Sequence, residues 1–164
     1  MSPEELAQTI ARYRDKGIVV DTNLLLLYLV GQYDPLQIKK CNRTDAYSIE
    51  DFDLLRGLLA AFSVIVTTPN ILTEVCNLSK KLPPAYFGEL RKQVRILEEK
   101  YFPARHACDR TYFDRFGLTD TIIAELSRNQ YLVLTADVEL WGLLLSLGID
   151  AINFNHLRSV TENQ

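Results

Sequence analysis

Hydrophobic positions along the chain follow two periods. Residues 18–20, 63–67, 131–135 and 151–154 are short apolar runs, rich in β-branched residues and without polar alternation. Such runs predict strands buried on both faces, as in a parallel sheet. Between them apolar residues recur every three or four positions. Ser2, Pro3 and Glu5 form a capping box with proline at the first helical position, predicting a helix to about residue 16, where Gly17 stops it. Residues 22–30 are apolar almost all round, so that helix is buried or covered by a partner. Ser48 and Asp51 open another, with Phe52, Leu55, Leu58, Leu59 and Phe62 as its stripe. Ile71, Leu72, Val75 and Leu78 make one face of an element starting at Pro69, with Glu74 beside that face.

Pro83 and Pro84 break the chain, and Phe87, Leu90, Val94, Leu97 and Tyr101 then predict one long helix to about residue 101. Residues 103–117 read as irregular, a helix follows the Gly117 turn, and residues 138–147 form an apolar helix closed by Gly148. Residues 31–48 are polar, contain Asp34-Pro35 and lack a period, which predicts a long exposed loop; 158–164 read as a polar tail. Alternating strands and helices imply an α/β fold, a three-layer α/β/α arrangement around a central parallel sheet of about four to five strands with right-handed crossovers.

At 164 residues the chain fits one domain spanning 1–164, large enough to bury a core. Its longest apolar stretch, 24–30, is far short of the roughly 20 residues of a membrane span, and the polar amino end carries no secretory pattern. The expected location is the cytoplasm, with no membrane partner. Cys41, Cys76 and Cys108 are widely spaced, which argues against a disulfide framework or a zinc ribbon.

The net charge of -3 conceals an asymmetry. Residues 80–115 hold nine basic residues against five acids, a balance of +4 that leaves -7 elsewhere. Tyr86, Phe87, Tyr101, Phe102, Tyr112, Phe113 and Phe116 interleave with the cations, so 80–116 reads as a basic, aromatic helical insert. Lys80, Lys81, Arg91, Lys92, Arg95, Arg105, Arg110 and Arg115 are its candidate nucleic-acid-binding residues, RNA-binding ones under the resemblance given below. A solvated helix face over an aromatic core is the alternative.

Candidate chemistry lies at the strand ends. Asp21 follows the first strand and Asp137 the third, while Asp120 opens the helix leading into the latter and Glu74 follows the second strand. In an open parallel sheet these positions converge on the edge where ligands bind. Asp and Thr are also common N-caps, which gives Asp21 and Thr22 a purely structural use. Four carboxylates in one cleft repel, and oxygen donors without nearby His or Cys favour Mg²⁺ or Mn²⁺ over zinc. A metal-bound water is a nucleophile suited to phosphodiester hydrolysis.

Val19-Val20-Asp21-Thr22-Asn23, Leu72-Thr73-Glu74-Val75, Gly117-Leu118-Thr119-Asp120 and Leu134-Thr135-Ala136-Asp137 resemble the four ordered acidic motifs of the PIN domain family. The resemblance implies a Mg²⁺- or Mn²⁺-dependent endoribonuclease with Asp21, Glu74, Asp120 and Asp137 as its catalytic quartet. Asp21, Asp120 and Asp137 would hold the ion, and Thr22, Asn23 and Thr135 would be polar supports. Small PIN proteins of the VapC type are toxins of toxin–antitoxin pairs, so the implied partners are an RNA substrate, an antitoxin protein and a second copy of the chain. The rival is a catalytically inactive PIN-like RNA-binding or scaffold module whose acids persist as caps. Asp21→Asn is expected to abolish cutting while leaving the fold intact.

Overall fold

A computed structural model describes residues 2–161. Five strands, β1 (Ile18–Val20), β2 (Ile65–Thr67), β3 (Glu98–Glu99), β4 (Leu132–Thr135) and β5 (Ala151–Asn153), form one sheet in the order β3-β2-β1-β4-β5. All four pairings are parallel, and Val19 stands opposite Val66 on one side and Val133 on the other. Ile18, Val19, Val20, Leu132, Val133 and Leu134 are fully buried, because helices cover both faces of the sheet. The fold is therefore three-layer α/β/α.

Nine helices connect the described strands: α1 (Pro3–Tyr13), α2 (Thr22–Tyr33), α3 (Ile49–Leu59), α4 (Pro69–Leu78), α5 (Pro84–Val94), α6 (Ala104–Cys108), α7 (Phe113–Ser127), α8 (Val138–Ser146) and α9 (Phe154–Thr161). From β1 the chain steps through β2 to β3 in one direction, and from β4 to β5 it steps in the other. The reversal lies between β1 and β4. With right-handed crossovers it leaves a crevice outside the carboxyl ends of those two strands.

The apolar helix α2 is covered within the chain. Leu24 to Val30 are all buried, against α3, α4, α5 and the turn that follows α2. Gly31 permits this packing, since a Cβ there would lie 2.2 Å from the Phe52 ring of α3. At Gly17 the backbone has φ +114°, and a Cβ would meet the Val64 carbonyl at 3.0 Å. The chain can thus turn from α1 into β1 beside β2 only with glycine there.

Several boundaries differ from the periodic reading. The expected loop 31–48 is folded: α2 continues to Tyr33, a 3₁₀ turn spans Pro35–Lys40, and Ile38, Cys41, Thr44 and Tyr47 are buried. Thr44 Oγ1 donates to the Ile38 carbonyl at 2.8 Å, which closes the turn internally. The helix expected to reach residue 101 ends at Val94, and Glu98–Glu99 become an edge strand on β2. Leu97 keeps its buried place while Tyr101 is 75% exposed, so the helical spacing there was coincidental and pairing with β2 overrode it. Residues 104–108 form α6 inside the stretch read as irregular. Helix α1 stops at Tyr13, and Phe154 opens α9, which includes Arg158; residues 162–164 of the expected tail lie outside the described residues.

Gly31→Ala is expected to lower stability by about 1–3 kcal/mol through overpacking against Phe52, although alanine is the better helix former. Urea denaturation of the purified variant measures it, with Gly57→Ala as a control, because a Cβ at Gly57 meets nothing within 4 Å.

Candidate active site

Asp21 is the first residue beyond β1 and the N-cap of α2. Its backbone N–H donates to the Leu134 carbonyl at 3.0 Å, extending the pairing of β1 with β4 by one residue. Its Oδ1 accepts from the Leu24 N–H at 3.0 Å. Its Oδ2 accepts from the Ala136 N–H at 3.1 Å and from the Thr135 hydroxyl. The carboxyl is 6% exposed, and burial pushes its pKa up against these three hydrogen bonds, which pull it down.

Asp137 repeats the arrangement after β4. It caps α8, its Oδ1 accepting from the Glu139 N–H at 2.7 Å and the Leu140 N–H at 3.1 Å. Among the described residues its second oxygen has no hydrogen-bond partner. Thr135, which binds Asp21 through its hydroxyl, also accepts from the Asp137 N–H at 2.9 Å and so links the two acids.

Glu74 comes from α4, which Thr68 caps by accepting from the Ile71 N–H. Thr22 Oγ1 donates to Glu74 Oε2 at 2.7 Å, and Thr119 Oγ1 donates to its other oxygen. Gly117, at φ +72°, interrupts α7 so that a fresh helical segment begins there, with Asp120 in its first turn. Among the described residues the Asp120 carboxylate has no hydrogen-bond partner. Burial, then the charges of Asp137, Asp21 and Glu74, push it up to about 7.

Asp21, Glu74, Asp120 and Asp137 line one cleft of about 310 Å³ at the switch point, with Thr22, Asn23, Arg43 and Asn77. The structure thus brings together all four acids singled out in the sequence. Capping and cleft lining coexist at Asp21 and Asp137, so the two readings of Asp21 were not exclusive. Thr22 and Thr135 hold acids in place, while Asn23 borders the cleft without a side-chain hydrogen bond. Thr119, Arg43 and Asn77 were missed. Thr119 had a local signal, standing next to Asp120, whereas Arg43 and Asn77 reach the cleft only through tertiary folding.

The donor set suits a hard divalent cation in kind, being carboxylate and amide oxygens with no His or Cys. It also suits one in charge, since Asp120 at about 7 takes up a proton where a cation would otherwise offset the repulsion. No coordination shell is assembled: among the described residues no group of three or more His, Cys, Asp or Glu stands in position to hold a metal ion. Asp120 and the second oxygen of Asp137 are the carboxylate donors without a hydrogen bond.

The eight candidate RNA-binding residues separate into distinct settings. Lys80 and Lys81 flank the cleft and line a neighbouring groove. Lys92 pairs with Glu89 at 3.2 Å, Arg110 with the buried Glu125 at 2.6 Å and Arg115 with Glu139 at 3.1 Å. Arg105 donates to the His106 ring, and Arg91 and Arg95 lie on and just after α5. His156 packs edge-on against Trp141, with ring centroids 5.0 Å apart. Among the described residues no helix is long and apolar enough to cross a membrane.

No family model and no curated protein matches the chain. A solved structure, described as a domain of a functionally unknown protein from Methanocaldococcus jannaschii DSM 2661, is similar to it. The identity is 18% and the TM-score 0.44, over 83% of this chain and 89% of that one.

Two outcomes follow from these hydrogen bonds and charges. Between pH 3.8 and about 7 folded Asp120 keeps a proton that the unfolded chain has lost, so its contribution to stability falls as pH rises through that window. Asp120→Asn is therefore expected to stabilise the metal-free protein by on the order of 1–3 kcal/mol at pH 8, after allowance for solvent screening, and by less at pH 5. Thermal unfolding at the two pH values checks it. Asp21→Asn, in contrast, sets an amide N–H against a backbone N–H in either orientation, so it is expected to lower the melting temperature, contrary to the intact fold anticipated from sequence.

Proposed function

We propose that the chain is a metal-dependent ribonuclease of PIN type, hydrolysing RNA phosphodiester bonds at the cleft between β1 and β4. The observation that carries this reading is the convergence of Asp21, Glu74, Asp120 and Asp137 on one cleft, with Asp120 pushed up to about 7 by burial and then by the charges of the other three. Such a cleft attracts a positive charge and has oxygen donors suited to Mg²⁺ or Mn²⁺. Asp21, Asp120 and Asp137 would hold the ion. When bound, it would supply an activated water and offset charge on the scissile phosphate.

The chain's own residues set up the rest. Thr135 and the Ala136 N–H fix the Asp21 carboxylate, and Thr22 and Thr119 fix Glu74 in the same cleft, where it can position an attacking water through hydrogen bonds. Arg43 is the cation lining the cleft and stands where it can meet a phosphate oxygen. Single-stranded or looped RNA suits the cleft better than duplex, because one phosphate has to enter it.

The antitoxin partner, the toxin role and the homodimer rest on the PIN resemblance alone. Helix α2, whose apolar surface raised the prospect of a covering subunit, is covered within the chain. Cytoplasmic location is part of the proposal, on the sequence pattern and not on that resemblance. A second reading, an inactive PIN-like RNA-binding or scaffold module, draws on the unassembled coordination shell.

Cleavage of a mixed single-stranded RNA pool, with Mg²⁺, Mn²⁺ or EDTA, separates the two. Wild type is expected to cut with either ion and not with EDTA, and Asp120→Asn, the variant without a hydrogen bond to lose, to cut at least 100-fold more slowly, on the order of one lost electrostatic contact. Saturating Mn²⁺ should also raise the melting temperature of wild type and not of Asp120→Asn; at 100 times Kd the gain would be about 2.7 kcal/mol. Wild type that neither cuts nor is stabilised by either ion would favour the scaffold module.

A further inference from the structure

The groove beside the acidic cleft has the opposite charge. Lys40, Arg43, Lys80 and Lys81 line a concavity of about 320 Å³ together with Asn42 and Asn77, and no carboxylate lines it. Among the described residues these four cations make no ion pair or side-chain hydrogen bond. Elsewhere cations are commonly paired: Arg12 with Asp150, Arg56 with Asp53, Lys100 with Glu98, and Arg110 and Arg128 with Glu125. A local excess of unpaired positive charge on a concave surface is the electrostatic signature of an anion track.

Two segments distant in sequence build this groove, and both are anchored. Lys40 ends the 3₁₀ turn and Arg43 follows it; the Cys41 N–H donates to the Gln37 carbonyl at 3.1 Å, and the buried Thr44 hydroxyl donates to the Ile38 carbonyl at 2.8 Å. Lys80 and Lys81 follow α4. Just before them, buried Ser79 donates to the Val75 carbonyl at 2.6 Å and lies 3.0 Å from the Tyr86 hydroxyl of α5. The lysine stems are exposed, but the backbone carrying them is fixed.

Arg43, Asn77 and Leu78 line both the groove and the acidic cleft, so the two are continuous. We propose that the groove is the track for the single-stranded RNA segment flanking the phosphate held in the cleft. Lys40, Lys80 and Lys81 neutralise successive backbone phosphates, and Arg43 stands at the junction. This rests on the nuclease reading of the cleft, and from a basic insert that extends much further it takes only Lys80 and Lys81 as main electrostatic contacts. Lys40 comes from outside that insert, brought there by the folded 31–48 segment. Contacts of this kind fix position along the backbone and do not read sequence.

The test is binding, measured in EDTA so that it does not depend on cleavage. Fluorescence anisotropy of a labelled single-stranded RNA oligonucleotide is compared for the full chain, the triple variant Lys40→Ala/Lys80→Ala/Lys81→Ala and the control Arg14→Ala/Lys16→Ala, two exposed cations between α1 and β1. The triple variant is expected to bind at least tenfold more weakly, with the slope of log affinity against log salt reduced by about 2, that is about 0.7 for each of three phosphates. The control is expected to stay within about twofold of wild type. All five positions are exposed, so the variants should keep the wild-type melting temperature. A wild-type chain that does not bind, a triple variant that binds like wild type, or a control that loses as much would each overturn the groove assignment. Binding that depends on the three lysines in a chain that cuts no RNA with any ion would sustain the groove and remove the nuclease.

Discussion

The Asp21 carboxylate is the contact on which the rest of the site depends. It sits where β1 ends, α2 begins and β4 passes alongside, and its two oxygens accept from the latter two: the Leu24 N–H in the first turn of α2, and the Thr135 hydroxyl at the end of β4 with the Ala136 N–H just beyond it. Burying an ionised carboxylate is costly unless its lone pairs are satisfied. Here the satisfying donors are themselves the groups that position the cleft. Thr135 also orients Asp137, and Thr22, next to Asp21, orients Glu74. The first strand therefore fixes the wall of the site while it closes the switch point of the sheet.

Charge is then distributed in two adjoining compartments. In the cleft, burial and then the repulsion of its neighbours leave Asp120 with a raised proton affinity. In the groove, four cations meet with no carboxylate among them. Each compartment is incomplete in its own sign. A polyanion that brings phosphates to the groove and one phosphate to a cation in the cleft would satisfy both, and that complementarity links the proposed chemistry to the proposed track.

The aromatic and cationic composition of residues 80–116 serves more than one end. Tyr86 is buried against Ser79, and Tyr112, Arg110 and Arg128 converge on Glu125, whose carboxylate is 4% exposed. The first contact ties α5 to the end of α4 and the second ties α7 to the segment after α6, and a buried carboxylate of this kind is retained only when paired. Residues that look alike in a count of basic and aromatic positions thus divide into packing and ion-pair roles on one side and free surface cations on the other.

Local pattern alone determined much of this protein. Runs such as 18–20 and 131–135 announced buried parallel strands because a strand covered on both faces has no reason to alternate. The positions of Asp21 and Asp137 just past the first and third of these runs followed directly from those boundaries. The capping residues Ser2 and Ser48 were legible because caps act within four residues. What the sequence did not carry was every feature set by contacts between distant segments. Glu98–Glu99 is a strand only because β2 offers an open edge, and 31–48 is folded only because Ile38, Cys41 and Tyr47 find a buried surface on neighbouring helices. That α2 is covered by its own chain, that Arg43 and Asn77 reach the cleft, and that Lys40 stands beside Lys80 and Lys81 were decided by tertiary structure. Periodicity reports which face of an element is apolar; only packing determines what that face meets and which charges it brings together.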